Sequence, residues 1–305
     1  MVDVFLNRSF RRRALTAIVM TLAMLPGGPL LAQEEPAQEA AVPEAADLSE
    51  GNRLVREAKY EEAEALLAEL QNDFPTDVDL LLMRGELLLQ LQRAEDARDV
   101  LSAAVELDAE RERIQFQLGS ALVRLNQTDE ALERFGAELE NTEDSAILRL
   151  SRLNRSMLFE QKKQWKDAAA ELEALLVGDE VEKEIFADLV SLYLRDKALD
   201  QAVDALERGK SAGFESSLHY YSAGAHLFRA DRLEEALQLF EQALSIDSDM
   251  ARAERSLAAV LNKLKRTDEA LVHLRRYLEL DPTAKDAEKV REQIRVLTVE
   301  TAGAP

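Results

Sequence analysis

The sequence predicts an all-α fold of stacked helix pairs, and three observations carry that prediction: a 34-residue internal period, a composition suited to long helices, and apolar residues at helical spacing. The segments YEEAEALLAEL, AEDARDVLSAA, TDEALERFGAE, WKDAAAELEAL, LDQAVDALERG, LEEALQLFEQA and TDEALVHLRRY align with Ala63, Ala97, Ala131, Ala168, Ala202, Ala236 and Ala270 in register. Five of the six gaps are 34 residues and one is 37. A unit of that length holds two helices and buries its apolar stripe only against its neighbours. Of 305 residues, 47% are hydrophobic and 32% charged, with only 11 Gly and seven Pro to interrupt helices.

The first element is a targeting segment. Arg8, Arg11, Arg12 and Arg13 precede an apolar run from Ala14 to Leu25, which Pro26, Gly27 and Gly28 end before Leu30, Leu31 and Ala32. The run is well short of the ~20 residues that a membrane-spanning helix needs, so residues 1–32 are read as a signal peptide cut after Ala32, using the general secretory route. The alternative is an uncleaved anchor in the inner membrane. Residues 33–46, QEEPAQEAAVPEAA, are rich in Glu, Ala and Pro and poor in apolar bulk, which predicts a disordered acidic linker.

The solenoid is expected over 47–298, in units 44–77, 78–111, 112–145, 149–182, 183–216, 217–250 and 251–284. In unit 217–250, Tyr220, Ala223, Gly224, Leu227, Ala236, Phe240 and Ala243 take positions 4, 7, 8, 11, 20, 24 and 27, and Ser248 stands at position 32. Unit 251–284 has Leu257, Ala258, Leu261, Ala270, Leu274 and Pro282, and unit 78–111 has Leu81, Gly85, Leu88, Ala97, Leu101 and Ala104. This pattern resembles the tetratricopeptide repeat family over about four fifths of the chain. The resemblance implies a right-handed superhelical α-solenoid of about seven helix pairs. Small residues at positions 8 and 20 then let paired backbones approach, with positions 7, 11 and 24 filling the space around the contact.

Two places depart from the pattern. Ala146, Ile147 and Leu148 are three extra residues before unit 149–182, which also carries Arg155 at the apolar position 7. Gly209 and Gly213 are expected to shorten or loosen the second helix of unit 183–216, where Val190 fills the small position 8. Both places are candidate bends or simple irregularities. After Pro282, Ala287, Val290, Ile294 and Leu297 form one apolar stripe, a capping helix over 285–297 ahead of a frayed tail, 299–305.

Composition excludes several function classes. A net charge of -21, from 38 basic and 59 acidic side chains, argues against a general nucleic-acid binder, and cleavage after Ala32 would deepen it to -24. With no Cys there is no disulfide, thiolate ligand or thiol nucleophile. No phosphate loop, dinucleotide fingerprint, nucleophile elbow or HExxH helix is present, and the three His do not form a ligand set: His219 and His226 are seven apart and His273 stands alone. No cofactor, metal or catalytic constellation is therefore expected.

In the family that this chain resembles, positions 2, 5, 9, 12 and 13 of the first helix face the superhelical groove. Position 13 reads Arg56, Gln90, Arg124, Gln161, Arg195, Arg229 and Lys263, five of seven basic. Position 5 includes Leu82, Phe116, Tyr221 and Arg255, and position 12 includes Leu89, Leu194 and Phe228. The implied groove is apolar with a basic ridge, set against a strongly acidic chain. That favours a protein or peptide partner with apolar anchors and acidic groups, held by a non-enzymatic periplasmic scaffold or adaptor of the kind used in envelope assembly or polymer export. A periplasmic holdase chaperone is the alternative. Membrane contact is expected only transiently, through the signal peptide.

Overall fold

A computed structural model describes residues 45–176 and 183–302. The expected signal peptide, and all but the last two residues of the expected acidic linker, lie outside that set. The described residues are all-α, with fifteen helices and no strand. They fall into two compact units, one ending at Lys163 and the other beginning at Gln164. The first unit holds α1 (Ser49–Arg56), α2 (Tyr60–Asp73), α3 (Val78–Gln90), α4 (Ala94–Leu107), α5 (Ile114–Arg124), α6 (Thr128–Asn141) and α7 (Ser145–Gln161). The second holds α8 (Trp165–Glu173), α9 (Glu184–Arg195), α10 (Leu199–Ser211), α11 (Ser217–Arg229), α12 (Leu233–Ile246), α13 (Ala251–Lys263), α14 (Thr267–Leu280) and α15 (Ala287–Ala302).

Within each unit every helix packs on the next in sequence. Some first helices of neighbouring repeats also touch: α3 meets α5 in the first unit, and α9 meets α11 and α11 meets α13 in the second. Within each unit these first helices thus lie side by side as a wall, and this places their outer positions together.

Small side chains explain the pairing. All seven register alanines are fully buried. At position 8, Gly85 leaves no room for a side chain: a Cβ there would sit 2.4 Å from Leu101 Cγ, and one on Gly119 would sit 2.9 Å from the Phe135 ring. Leu101 and Phe135 are the position-24 residues of the same repeats and are fully buried. The side chain at 24 therefore occupies the volume that a residue at 8 lacks.

Unit 183–216 solves the same problem differently. Val190 at position 8 is fully buried, and the smallness moves to Gly209, whose Cβ would lie 3.0 Å from Phe186 Cγ. Gly209 therefore does not break α10, which runs 13 residues against 14 for α4, α6, α12 and α14. The helix stops only at Gly213, with φ of 81°, where the Phe214 N–H donates to the Gly209 carbonyl at 2.7 Å.

The turn inside each pair is a second structural repeat. Ala58, Gln92, Asn126, Lys163, Lys197, Asp231 and Lys265 all have φ between 58° and 63°. Each stands five residues before a register alanine. At six of them the following N–H reaches back to close the helix, as in Arg93 to the Leu88 carbonyl at 2.9 Å and Arg266 to the Leu261 carbonyl at 2.9 Å. None of the seven is Gly, and all but Asn126 and Asp231, whose side chains tolerate this region, store left-handed strain of about 1 kcal/mol. Lys265→Gly is expected to raise stability by about 0.5–1 kcal/mol, since Lys265 is exposed and its left-handed geometry costs Gly little. A thermal melt checks this, and an unchanged or lower midpoint would mean the turn is relaxed as it stands.

Helix starts have local causes. Asp77 accepts from Leu80 N at 3.0 Å and also from Ala46 N at 2.8 Å, so it caps α3 and pins the chain ahead of α1. Asp144 accepts from Ala146 N at 2.8 Å and caps α7, which at 17 residues is the longest described helix and contains the three extra residues. In α15, Ala287, Val290 and Leu297 are buried and Ile294 packs against them; the helix continues to Ala302.

Candidate functional site

The wall of first helices is where the sequence places the site, and the structure separates its residues into three groups. Leu89, Phe116 and Leu194 are buried among neighbouring helices, so they pack the repeats and offer no surface. Leu82, Tyr221 and Phe228 are half-buried and keep part of their surface open. The cations form the third group, and most are engaged.

Arg124 is half-buried and donates from Nη1 to the carbonyl of Leu89, one repeat back, at the C-terminal end of α3. Burial draws its guanidinium below the usual arginine pKa. Lys263 reaches Asp231 Oδ1 at 2.9 Å, again one repeat back, and its Nζ lies 4.8 Å from the centroid of the Phe228 ring. Arg255 Nε donates to Asp286 Oδ2 at 3.3 Å and so ties α13 to the head of the capping helix. Arg195 stacks over Trp165 at 5.2 Å. Arg56 is exposed and donates to the Asn52 carbonyl of its own helix at 3.2 Å. Arg229 is exposed with no hydrogen bond or ion pair among the described residues. The basic ridge is thus largely a set of ties, with Arg56 and Arg229 its open members.

The sequence groups Arg252 with Arg255 and Lys263 as a second basic cluster in the last repeat, but it did not show what Arg252 rests on, nor a further cluster around Glu173. Arg252, exposed at the start of α13, stacks on Tyr221 with its guanidinium carbon 4.8 Å from the ring centroid. In the other half of the second unit, Glu173 accepts both Nη atoms of Arg208, at 3.0 and 2.8 Å, and the Tyr193 hydroxyl at 2.8 Å. Burial alone would raise the Glu173 carboxyl, but these donors outweigh it and hold it below the ordinary value. The only signal for either was a separation near one repeat, 31 to 35 residues, which links cations to partners on the neighbouring pair.

His219 lies apart from this wall in its chemistry. Its Nδ1 is 2.7 Å from Ser216 Oγ and the ring meets the Phe214 edge at 5.5 Å. Burial lowers its pKa to about 4. The unfolded imidazole titrates near ~6.5, so the neutral form is favoured by folding. Its contribution is complete above about pH 6.5 and is lost as pH falls toward about 4, by up to about 3 kcal/mol. In urea melts at pH 7 and pH 5, His219→Gln is expected to lose about 1–2 kcal/mol less than the native chain over that interval; equal losses would mean the ring protonates freely in the fold.

Family models agree with the helix-pair geometry. Two models described as tetratricopeptide repeat match residues 48–112 and 227–294. The chain carries tetratricopeptide repeats. Among solved structures, the C-terminal part of the TPR repeat-containing protein from Cytophaga hutchinsonii aligns with a TM-score of 0.59 at 15% identity, over 80% of this chain and 99% of that one. The structure of Naa15/Naa10 bound to HypK-THB aligns with a TM-score of 0.64 at 18% identity, over 80% of this chain and 38% of that one, so this repeat chain spans well under half of the protein it matches there. At these identities the likeness is one of fold. No curated protein sequence matches the chain.

Proposed function

We propose that this repeat protein is a non-enzymatic scaffold of the bacterial periplasm that holds a partner protein or peptide against its wall of first helices. The single observation that supports it best is the contact between first helices within each unit, α3 with α5 in the first and α11 with α9 and α13 in the second, with half-open Leu82 on the first of these faces and half-open Tyr221 and Phe228 with the open cation Arg229 on the second. Apolar anchors supply affinity and exposed cations orient an acidic partner, in a chain that is otherwise strongly acidic. Envelope assembly or polymer export is the setting proposed, resting on the basic–apolar–small order of residues 1–32.

Capture from an envelope extract by the immobilised chain tests this reading. A single stoichiometric partner is expected, and its recovery should fall about tenfold with Arg56→Glu combined with Arg229→Glu, at unchanged helicity. Both side chains are exposed, whereas reversing Arg124 would also cut its tie to Leu89. A smear of unfolded clients would favour the holdase reading, and recovery unaffected by the double variant would move the partner to another face. Protein taken from the same envelope fraction should begin at Gln33, and a chain retaining Met1 would overturn the exported, cleaved form.

A further inference from the structure

The face shared by α11 and α13 carries more than a generic basic groove. The Arg252 guanidinium lies on the Tyr221 ring at 4.8 Å, and Tyr221 is backed by Phe240 with ring centroids 5.6 Å apart. Phe240 is fully buried, so the stack rests on the core. A guanidinium over an aromatic ring gains from the ring without using its N–H groups, which stay available in the fork that matches a carboxylate.

Those donors have no partner. Arg252 makes no hydrogen bond or ion pair among the described residues, although the chain carries 59 acidic side chains against 38 basic ones. Its neighbours in the same unit are paired: Arg232 with Glu235, Arg266 with Glu269, and Arg276 with Asp249 at 2.9 Å, which engages an acid close to Arg252 in sequence. A second cation–aromatic pair, Lys263 over Phe228 at 4.8 Å, stands toward the other end of the two helices. Between the pairs stand Ala225 and Ala259, both half-exposed, and Arg255, which is already held by Asp286.

We propose that this face is a receptor for two carboxylates of one extended acidic segment, one seated on Arg252 and the other on Lys263, with small apolar side chains over the two alanines. The proposal rests on the reading of the first-helix wall as the binding face and adds the chemistry and spacing of what binds. Arg252 and Lys263 are eleven residues apart on one helix, which is about 16 Å along its axis at ~1.5 Å per residue. An extended chain advances ~3.3–3.6 Å per residue and alternates its side chains between two faces, so two acidic side chains turned to the same face must be about four residues apart, the long Arg252 and Lys263 side chains taking up the remaining few ångströms. Lys263 exchanges its exposed Asp231 partner for the incoming carboxylate, a swap between solvated groups that costs little.

The test is fluorescence anisotropy with the full chain and labelled synthetic peptides of about a dozen residues. One peptide carries Glu at its fourth and eighth residues with Ala and Leu between, a second has the two Glu only two residues apart, and a third has Gln in both places. The first is expected to bind at least about tenfold more tightly than the other two, with affinity falling as salt rises toward ~0.5 M. Arg252→Gln and Tyr221→Leu should each weaken it about tenfold, the second by releasing the guanidinium from its platform, while Arg276→Gln leaves it unchanged.

Absence of binding, equal binding of the three peptides, or indifference to Arg252→Gln would overturn the proposal. If the envelope partner is still lost with Arg56→Glu and Arg229→Glu while Arg252→Gln changes nothing, this receptor fails and the scaffold reading stands. If the peptides obey the spacing but no partner is captured, the scaffold reading fails and the receptor stands.

Discussion

Gly85→Ala is expected to destabilise the protein by about 2–3 kcal/mol, a result whose sign is opposite to the usual effect of that change in a helix. In an exposed helix interior, replacing Gly with Ala gains up to about 1 kcal/mol because Ala restricts the unfolded chain and solvates the backbone less. At Gly85 the added Cβ would lie 2.4 and 2.5 Å from Leu101 Cγ and Cδ2, distances that real Cβ atoms do not show. Leu101 is fully buried in the core cluster of α3 to α7, so it can yield only by leaving its rotamer or by opening the α3–α4 pair. Gly51→Ala is the internal comparison, because its Cβ would meet Leu67 at 3.1 Å and the flexible end of Met83 at 3.2 Å, which the core absorbs at lower cost. Chemical denaturation should therefore rank native above Gly51→Ala above Gly85→Ala. A Gly85→Ala chain as stable as the native one would show that positions 8 and 24 are not in the close contact from which the pairing is argued.

That contact is also why the fold was legible. A side chain that must be small at one place in every repeat leaves a mark that survives changes elsewhere, and Ala63 through Ala270 set the register without help from any other residue. The left-handed turn residues recur with the same spacing but left no mark, because Ala58, Gln92, Lys197 and the rest share no chemistry, and the helix-closing bonds use only backbone atoms. The wall was legible in its residue types and not in their engagement. Position in the repeat marks Phe116 and Leu194 as facing the groove, yet both are buried in the packing of the helices. It marks Arg124 and Lys263 as basic, yet both reach one repeat back, to the Leu89 carbonyl and to Asp231. Whether a long side chain bonds its neighbour or stays open depends on its rotamer and on residues about 32 positions away, which a single-repeat pattern does not contain.

Glu138 is the strongest case of such a hidden partner, and Glu138→Ala is expected to cost about 2–4 kcal/mol. The start of α5 lacks the usual means of satisfying its N–H groups: its N-cap residue Arg113 has φ of 72° and no capping side chain, and no acidic residue stands in the first turn. Glu138, on α6 and fully buried, supplies both acceptors, taking the Arg113 N–H at 3.0 Å and the Phe116 N–H at 2.9 Å. Removing it leaves two donors, one of them buried, facing a void at the positive end of a helix. Burial raises the Glu138 pKa, and the two N–H donors only partly offset that. A carboxyl raised by folding contributes stability that is complete below its unfolded value and is lost as pH rises through its folded value, so this contribution shrinks from pH 4 toward neutrality. Glu138→Gln keeps one acceptor, places an NH2 against the other N–H, and abolishes the titration. It should therefore lose about 1–2 kcal/mol at pH 7, and the deficit should widen as pH falls. Guanidinium melts of the three proteins at pH 5 and pH 7 read both effects, and a deficit that narrows with acidification would mean the buried carboxylate is held ionised by its two backbone donors.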